Sequence, residues 1–340
     1  MNLYKEIIRL GYSKYALKLR QMLMLNLVLP PRWILIEATS KCNLQCRMCD
    51  RKNLPRGEGD LPFGKYKEII DQLIKLNKDV AINPQGLGEP LINENIYAMI
   101  SYAREKGVKD IGINTNGTLL TETNVKKLFQ SGVTSISVSI DSIVRDTYKK
   151  IRIGADHDEV IRNVLNMIEY RNSLRRKIPW IQVSAVDQGV NCDEMDKFVE
   201  FWIDQVDAVY SQREYHNFKL VNQSTIDKTR KRIACAYLWR SMTIYWNGDV
   251  SVCPMDDKGD LKIGNVYEEP LEAIWYGKRF NEIRKAHLKN ALEDYPQCKT
   301  CDYWRSTAAE NMPVQEIRKF RGLNVKCMGD ELYRRFERVK

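Results

Sequence analysis

The sequence has no run of 18 or more apolar residues and no charged-then-apolar segment ending in small residues. The first absence argues against a membrane-spanning helix, and the second against a secretory signal. Internal repeats and low-complexity stretches are also missing, which sets aside a repeat architecture. Net charge is scarce in the middle of the chain. The net charge is +10, yet six Lys/Arg face one Glu in residues 1–33 and eight face four acids in residues 313–340, leaving the remainder near +1. A basic balance confined to two ends is not a nucleic-acid signature spread over the fold. The ends read as solvated helix faces, or as contacts for an anionic partner or membrane surface.

The 340 residues, 44% hydrophobic and 29% charged, suit a soluble protein with one large domain and a small appended one. There are nine cysteines. In a short secreted chain they would suggest disulfides. Clustered in a chain expected to be cytoplasmic, they point to metal or catalysis. Cys42, Cys46 and Cys49 stand as C-x3-C-x2-C directly after an apolar run. A [4Fe–4S] cube usually takes four thiolates, so a compact triplet can hold three irons and leave the fourth open to chelate a small molecule. A zinc knuckle or three buried thiols is the plainer alternative, although zinc sites usually repeat a C-x2–4-C pair.

Strand and helix signals alternate through residues 32–222. Trp33–Glu37 reads as a first buried strand. Helices over 64–77, 93–106, 121–131, 156–175 and 193–205 precede strands over 79–84, 110–114, 134–140, 179–186, and 207–211 or 216–221. Repeated units of this kind imply a parallel sheet with right-handed crossovers, whose ligand loops lie at the strand C-termini. The cysteine triplet falls at that end. So do Gln85–Pro90, a glycine loop with an acid, and the turn Asn114–Gly117. The strand 135–141 alternates polar and apolar residues, so Ser137 or Ser139 and Asp141 are expected to face the interior. Residues 3–25 have helical apolar spacing, which gives an N-terminal amphipathic helical extension over 1–31. Residues 311–340 are expected to form a basic helical tail.

Residues 223–310 form a separate module. Ser241–Cys253 reads as a hairpin, with two β-rich arms around Asn247-Gly248. Cys235 precedes it, Cys253 ends it, and Cys298-x2-Cys301 follows. Four such cysteines can ligate a complete cluster, and they equally suit a four-thiolate zinc site.

Taken together, these motifs resemble the radical S-adenosylmethionine (SAM) superfamily, and its SPASM/twitch subfamily in particular. The triplet matches the SAM-cleaving cluster motif. Gln85–Pro90 is similar to the family's GGEP segment, with Leu87 in place of the first glycine. Tyr148–Gly154 is similar to its Arg-x-Gly stretch. The C-x12-G-x4-C hairpin, Gly264-Asn265-Val266, Ile274-Trp275 and the final C-x2-C match the module. The C-x5-C-x3-C continuation of full SPASM modules is absent, which matches the shorter twitch form found in 2-deoxy-scyllo-inosamine dehydrogenase-type enzymes.

The resemblance implies a partial (β/α)6 TIM-like barrel with a small C-terminal β-hairpin module. It implies SAM and two [4Fe–4S] clusters. One would be held by Cys42, Cys46 and Cys49, the other by Cys235, Cys253, Cys298 and Cys301. It places Gly88 and Glu89 at the SAM amino group, Asn116 by the ribose, Ser139 in contact with SAM and Arg152 on the SAM carboxylate. Met48 stands where the family often has an aromatic residue beside the adenine. The implied activity is oxidation of a sugar-like, aminocyclitol-like or other polar substrate, with an electron donor such as flavodoxin or ferredoxin. An epimerase would instead need a thiol to return hydrogen, and Cys192, after the fifth strand, is the favoured donor ahead of Cys327. Peptide maturation and a zinc-stabilised nucleic-acid-binding protein are further alternatives.

Overall fold

The computed structural model describes residues 28–216, 219–220, 232–306, 314–320, 322–329 and 333–339. The expected N-terminal helix, residues 3–25, therefore lies outside the described residues. Six parallel strands form the centre: β1 (Trp33–Ile36), β2 (Ala81–Asn83), β3 (Asp110–Thr115), β4 (Ser135–Ser139), β5 (Trp180–Asp187) and β6 (Ala208–Arg213). Their order in the sheet follows their order in sequence. This matches the expected incomplete barrel.

The crossovers are α1 (Phe63–Leu76), α2 (Ile96–Glu105), α3 (Glu122–Ser131), α4 (Arg145–Ile151), α5 (His157–Ser173) and α6 (Met195–Trp202). Their ends are set locally. The Thr121 side chain accepts from Asn124 N to start α3, and Gly132 ends it with φ +87°, a left-handed turn that suits glycine. Asp156 caps α5 by accepting from Glu159 N. Apolar stripes such as Ile69, Ile70 and Leu73 of α1 pack on strand residues including Ile34, Ile82 and Ile111, all buried.

Six strands leave two open edges, each presenting unpaired backbone groups. Both are covered. At one edge β9 (Ser241–Ile244) runs parallel to β1, in register from Trp33↔Ser241 to Ile36↔Ile244. Two antiparallel strands continue from it, β10 (Asp249–Ser251) and β11 (Lys262–Asn265). Asn247-Gly248 makes the hairpin turn, with Gly248 at φ +85°. Three short helices, α7 (Leu271–Tyr276), α8 (Lys278–Lys289) and α9 (Pro296–Thr300), complete the described part of this module.

The opposite edge corrects the sequence reading. Residues 314–338 are not a helical tail but a β-meander, β12 (Val314–Phe320), β13 (Leu323–Gly329) and β14 (Tyr333–Arg338). β14 pairs antiparallel with β6, bringing Phe336 opposite Val209. The physical reason lies in period-two burial. Val325 and Cys327 of β13 and Phe336 of β14 are buried while their sequence neighbours are not, and Gly322 supplies the turn with φ +80°. Between β6 and the module, β7 (Tyr215–His216) and β8 (Lys219–Leu220) form a two-residue antiparallel ladder. Among the described residues no helix is long and apolar enough to cross a membrane.

Phe336 meets Phe320 edge to face at 6.3 Å and is 3% exposed. Phe336→Ala should cost about 3–5 kcal/mol of stability in chemical unfolding. A loss within about 0.5 kcal/mol, the usual range for surface changes, would mean that the meander does not share the core.

Candidate active site

The cysteine loop leaves the C-terminal end of β1 and is pinned from below by two backbone bonds. Gln45 N donates to Ile153 O and Arg47 N to Ile151 O, both at 2.9 Å. Leu44 is buried beneath the loop. Cys42, Cys46 and Cys49 consequently line one cavity of about 280 Å³. Gly88, Glu89, Asn116, Ser139 and Arg152, each named from sequence, line the same cavity, as does Met48.

Each of these side chains is held. A Cβ on Gly88 would lie 2.2 Å from the Thr39 carbonyl oxygen, so only glycine lets the loop lie this close to the cysteine segment. Glu89 is 2% exposed; its carboxylate accepts from Asn116 N at 2.7 Å, Thr115 Oγ1 at 2.8 Å and Leu91 N at 3.2 Å. Burial pushes its pKa up and these donors oppose that. Three of about four acceptor positions are filled, which leaves room for one further donor. Asn116 Nδ2 points to Cys42 Sγ at 3.8 Å and Asn43 Oδ1 at 2.9 Å. Ser139 Oγ lies 3.4 Å from Ser184 Oγ.

Arg152 has a partner that the sequence did not suggest. Its Nε donates to Asp141 Oδ2 at 2.6 Å, while Nη1 reaches Cys46 Sγ at 3.6 Å. Asp141 is fully buried, with φ +68°, and its other oxygen accepts from Val186 N at 2.8 Å. The carboxylate thus fixes the guanidinium against the cysteine loop.

The fourth wall was missed from sequence. Met255, Asp257, Lys258 and Asp260, all from the loop between β10 and β11, close the cavity opposite the barrel. Asp256 organises this loop: its carboxylate accepts from Ser251 Oγ at 2.6 Å, Leu261 N at 2.8 Å and Asp260 N at 2.9 Å. Arg56 fastens the loop to the barrel. It donates to Glu37 at 2.8 and 2.7 Å, and its Nη1 donates to the Asp257 backbone oxygen. Asp257 itself lines the cavity. Burial pushes it up to about 7, against the attraction of Arg56 and with repulsion from Asp256, Glu37 and Asp50. The only signal in the sequence was an Asp-Asp-Lys run shortly after Cys253.

Cys192 does not join the site. It is exposed in an outer cleft with Met195, Ser211, Arg318 and Phe336. Cys192 follows the C-terminal end of β5, but the Asp187–Asn191 turn carries it to the α6 side. Cys327 is buried in β13.

The other four cysteines, Cys235, Cys253, Cys298 and Cys301, line a second cavity of about 30 Å³ with Arg232, Tyr237 and His287. Burial pushes Cys235 and Cys298 up to about 12 and raises Cys253 and Cys301. Thiols so placed need a cationic centre to exist as thiolates. Backbone N–H groups already point at three sulfurs: Leu44 N at Cys42 (3.4 Å), Met255 N at Cys253 (3.3 Å) and Tyr303 N at Cys301 (3.2 Å). Such bonds favour the thiolate. One zinc would gather its thiolates at about 2.3 Å from a single point. Both donor sets suit a cluster, which spreads its attachment points over several irons.

A family model described as the radical SAM superfamily matches residues 36–178, and one described as the SPASM iron-sulfur cluster-binding domain matches 235–302. Over 314 residues the chain is 24% identical to the tungsten-containing aldehyde ferredoxin oxidoreductase cofactor-modifying protein of Pyrococcus furiosus, covering 79% of this chain and 87% of that one. It is 30% identical over 282 residues to GTP 3′,8-cyclase 3 of Mycobacterium tuberculosis, covering 80% of this chain and 67% of that one. It spans about half the length of other GTP 3′,8-cyclases that it matches. In fold it is similar to BtrN, solved in complex with AdoMet and 2-DOIA, with TM-score 0.54, 21% identity, and coverage of 80% of this chain and 93% of that one.

The raised pKa of Asp257 has a measurable sign. Between about pH 4 and 7 the unfolded chain ionises this carboxyl while the folded chain keeps its proton, so the wild type loses stability as pH rises through that window. Asp257→Asn should raise the thermal midpoint more at pH 8 than at pH 4. Equal shifts at both would show that the carboxyl is not perturbed.

Proposed function

The chain belongs to the radical SAM superfamily and carries a SPASM-type cluster domain, and from that premise we propose that it oxidises a C–H bond in a sugar-like, aminocyclitol-like or other polar substrate. When bound, SAM and its cluster supply a hydrogen-abstracting radical, and the auxiliary cluster supplies an electron acceptor. Cys42, Cys46 and Cys49 would hold the first cluster. Cys235, Cys253, Cys298 and Cys301 would hold the second.

One observation supports oxidation above the other reactions. The β10–β11 loop belongs to both cavities: Cys253 lines one, and Met255 and Asp257 line the other. Two residues of chain reach at most about 7 Å, so an electron leaving a substrate in the mouth has a short path to the acceptor. The epimerase alternative needs a hydrogen-donating thiol at the cavity. Neither spare cysteine lines it.

The remaining roles fall to side chains. Glu89, with one acceptor position left, would take an N–H of the SAM ammonium. Arg152, braced by Asp141, would turn its outer N–H groups to the SAM carboxylate. Asn116 and Ser139 would orient the ribose side. Oxidation of an alcohol or amine also releases a proton from oxygen or nitrogen. Asp257 would accept it on a carboxylate oxygen, and a pKa near 7 suits a general base at neutral pH. Lys258 pairs with Asp50 at 3.3 Å and helps to close the wall on this side.

Protein loaded anaerobically should contain about eight iron atoms per chain. Replacing Cys42, Cys46 and Cys49 by Ala should remove about half of them and all SAM cleavage. Replacing Cys235, Cys253, Cys298 and Cys301 should remove the other half; zinc in place of iron and sulfide there would refute the auxiliary assignment. Under the oxidation reading, Cys192→Ala and Cys327→Ala should both retain turnover, and product should carry no solvent deuterium at the abstracted carbon. One solvent deuterium in wild-type product, with loss of product in either variant, would transfer the assignment to an epimerase.

Glu89→Gln and Arg152→Ala should each weaken SAM binding, by about 1.5–3 kcal/mol for the loss of one charge-assisted contact. Titration of cluster-loaded protein with SAM reads this directly. Unchanged affinity in both variants, with cluster content intact, would remove these residues from the SAM site.

A further inference from the structure

The cysteine loop has an outer face as well as an inner one. Cys46 lies between them, partly exposed, while Arg47 is exposed and absent from the cavity lining. The backbone bonds of Gln45 and Arg47 to Ile153 and Ile151 set the loop beside the end of α4. On α4, Thr147, Tyr148 and Ile151 are buried, so Lys149 and Lys150 face solvent. Ile153, next to them, is 48% exposed, and Val144, before the helix, is 41% exposed.

Several of the cations here are already engaged. Arg145 is taken by Asp158, Arg51 by Glu58 and Arg152 by Asp141, and Lys52 bonds to Gln45 at 2.8 Å. Arg47, Lys149 and Lys150 have no ion-pair partner among the described residues. Asp146 is the exposed acid on the same helix. An exposed apolar residue rimmed by unpaired like charges is a docking surface for a partner of opposite charge rather than a self-satisfied face.

We propose that Arg47, Lys149, Lys150 and Ile153 form the docking face for an acidic one-electron carrier protein. The proposal rests on the reading of Cys42, Cys46 and Cys49 as the site of a reducible cluster. A carrier seated here would stand against the loop that bears those thiolates, with the SAM cavity on the far side. One electron passes from the reduced carrier to the oxidised cluster, and no bond or proton moves in the docking step. Charge complementarity selects this occupant. The lysines would orient an acidic rim around the carrier's redox centre, and Ile153 would meet its apolar surface.

The test compares wild type with Lys149→Glu/Lys150→Glu, the same pair with Arg47→Glu added, and Ile153→Asp. Lys319→Glu/Lys326→Glu on the C-terminal meander serves as a basic-surface control. Purified flavodoxin is the probe. Binding of oxidised flavodoxin is measured by fluorescence anisotropy at about 50 and 200 mM salt. Bleaching of the iron–sulfur absorbance is timed with reduced flavodoxin and, separately, with dithionite, which needs no docking.

The expected result is about tenfold weaker binding and about tenfold slower bleaching by flavodoxin in the α4 variants, with a flatter salt dependence. Dithionite bleaching should stay at the wild-type rate, and the meander control should bind normally. Flavodoxin binding and bleaching unchanged in the α4 variants would overturn the proposal, as would an equal loss in the meander control. Binding of an oligonucleotide or an acidic peptide that depends on these residues, with flavodoxin unaffected, would overturn it in favour of that occupant. Failure of the cluster reading has a different signature: wild type would not bleach even with dithionite, while the anisotropy arm would still decide the docking face.

Discussion

The buried ion pair between Glu37 and Arg56 is the constraint on which the site depends. Glu37 is fully buried at the end of β1 and Arg56 comes from the segment after the cysteine loop. Taking two charges out of water costs several kcal/mol per ion unless every polar group is satisfied. Here the satisfying groups come from three parts of the chain. Glu37 receives two guanidinium bonds and Trp246 N at 3.3 Å, while Arg56 bonds the Asp257 backbone and lies 4.0 Å over the Tyr245 ring. The pair can be stable only when barrel, cysteine segment and module are assembled. A buried charge pair adds little net stability, and what it adds here is a fixed position for the wall that carries Asp257.

The same dependence appears in the sheet. An open parallel sheet of six strands would leave β1 and β6 unpaired, and the two ends of the chain's C-terminal half cover them with different devices. β9 adds to β1 in parallel, which sets the hairpin that leads into Cys253 beside the strand that leads into the first cysteines. β14 adds to β6 antiparallel and carries no residue of the cysteine cavity. One edge extension therefore builds the site, and the other closes the sheet.

Much of this was legible from sequence because the chemistry is local there. Three thiols within eight residues, a glycine beside an acid, and an Arg two residues before a glycine each act over a few positions, and they converge because α/β topology sends every strand end to one mouth. Asp257 was not legible because its meaning is tertiary. Its placement depends on a contact with Arg56 across 201 residues. The same holds for Asp141, whose bond to Arg152 is invisible until α4 folds back. The meander was misread because β12–β14 are dense in Lys and Arg, which suggested a solvated helix. The deciding pattern is the alternation of Val325 and Cys327 with Phe336 opposite, and it shows only when the strands pair. Cys192 failed for a geometric reason, since a strand end has two sides and the turn at Asp187–Asn191 takes the outer one.

The polarity of the cysteine loop follows from these placements. Inside, the cavity is lined by Asp50 next to Cys49, by Glu89, and by Asp257 and Asp260 with Lys258 among them. Outside, Arg47, Lys149 and Lys150 are exposed. Negative charge inside suits the uptake of protons and the binding of ammonium groups, and it raises the energy of any electron added beside it. Arg152 counters this at the one point where its Nη1 faces Cys46 Sγ, and Asp141 keeps it there. A buried guanidinium with a single carboxylate partner is a costly arrangement in a structural role alone. It becomes intelligible where three thiolates and an added electron must share one loop, because it supplies fixed positive charge without opening the cavity to water.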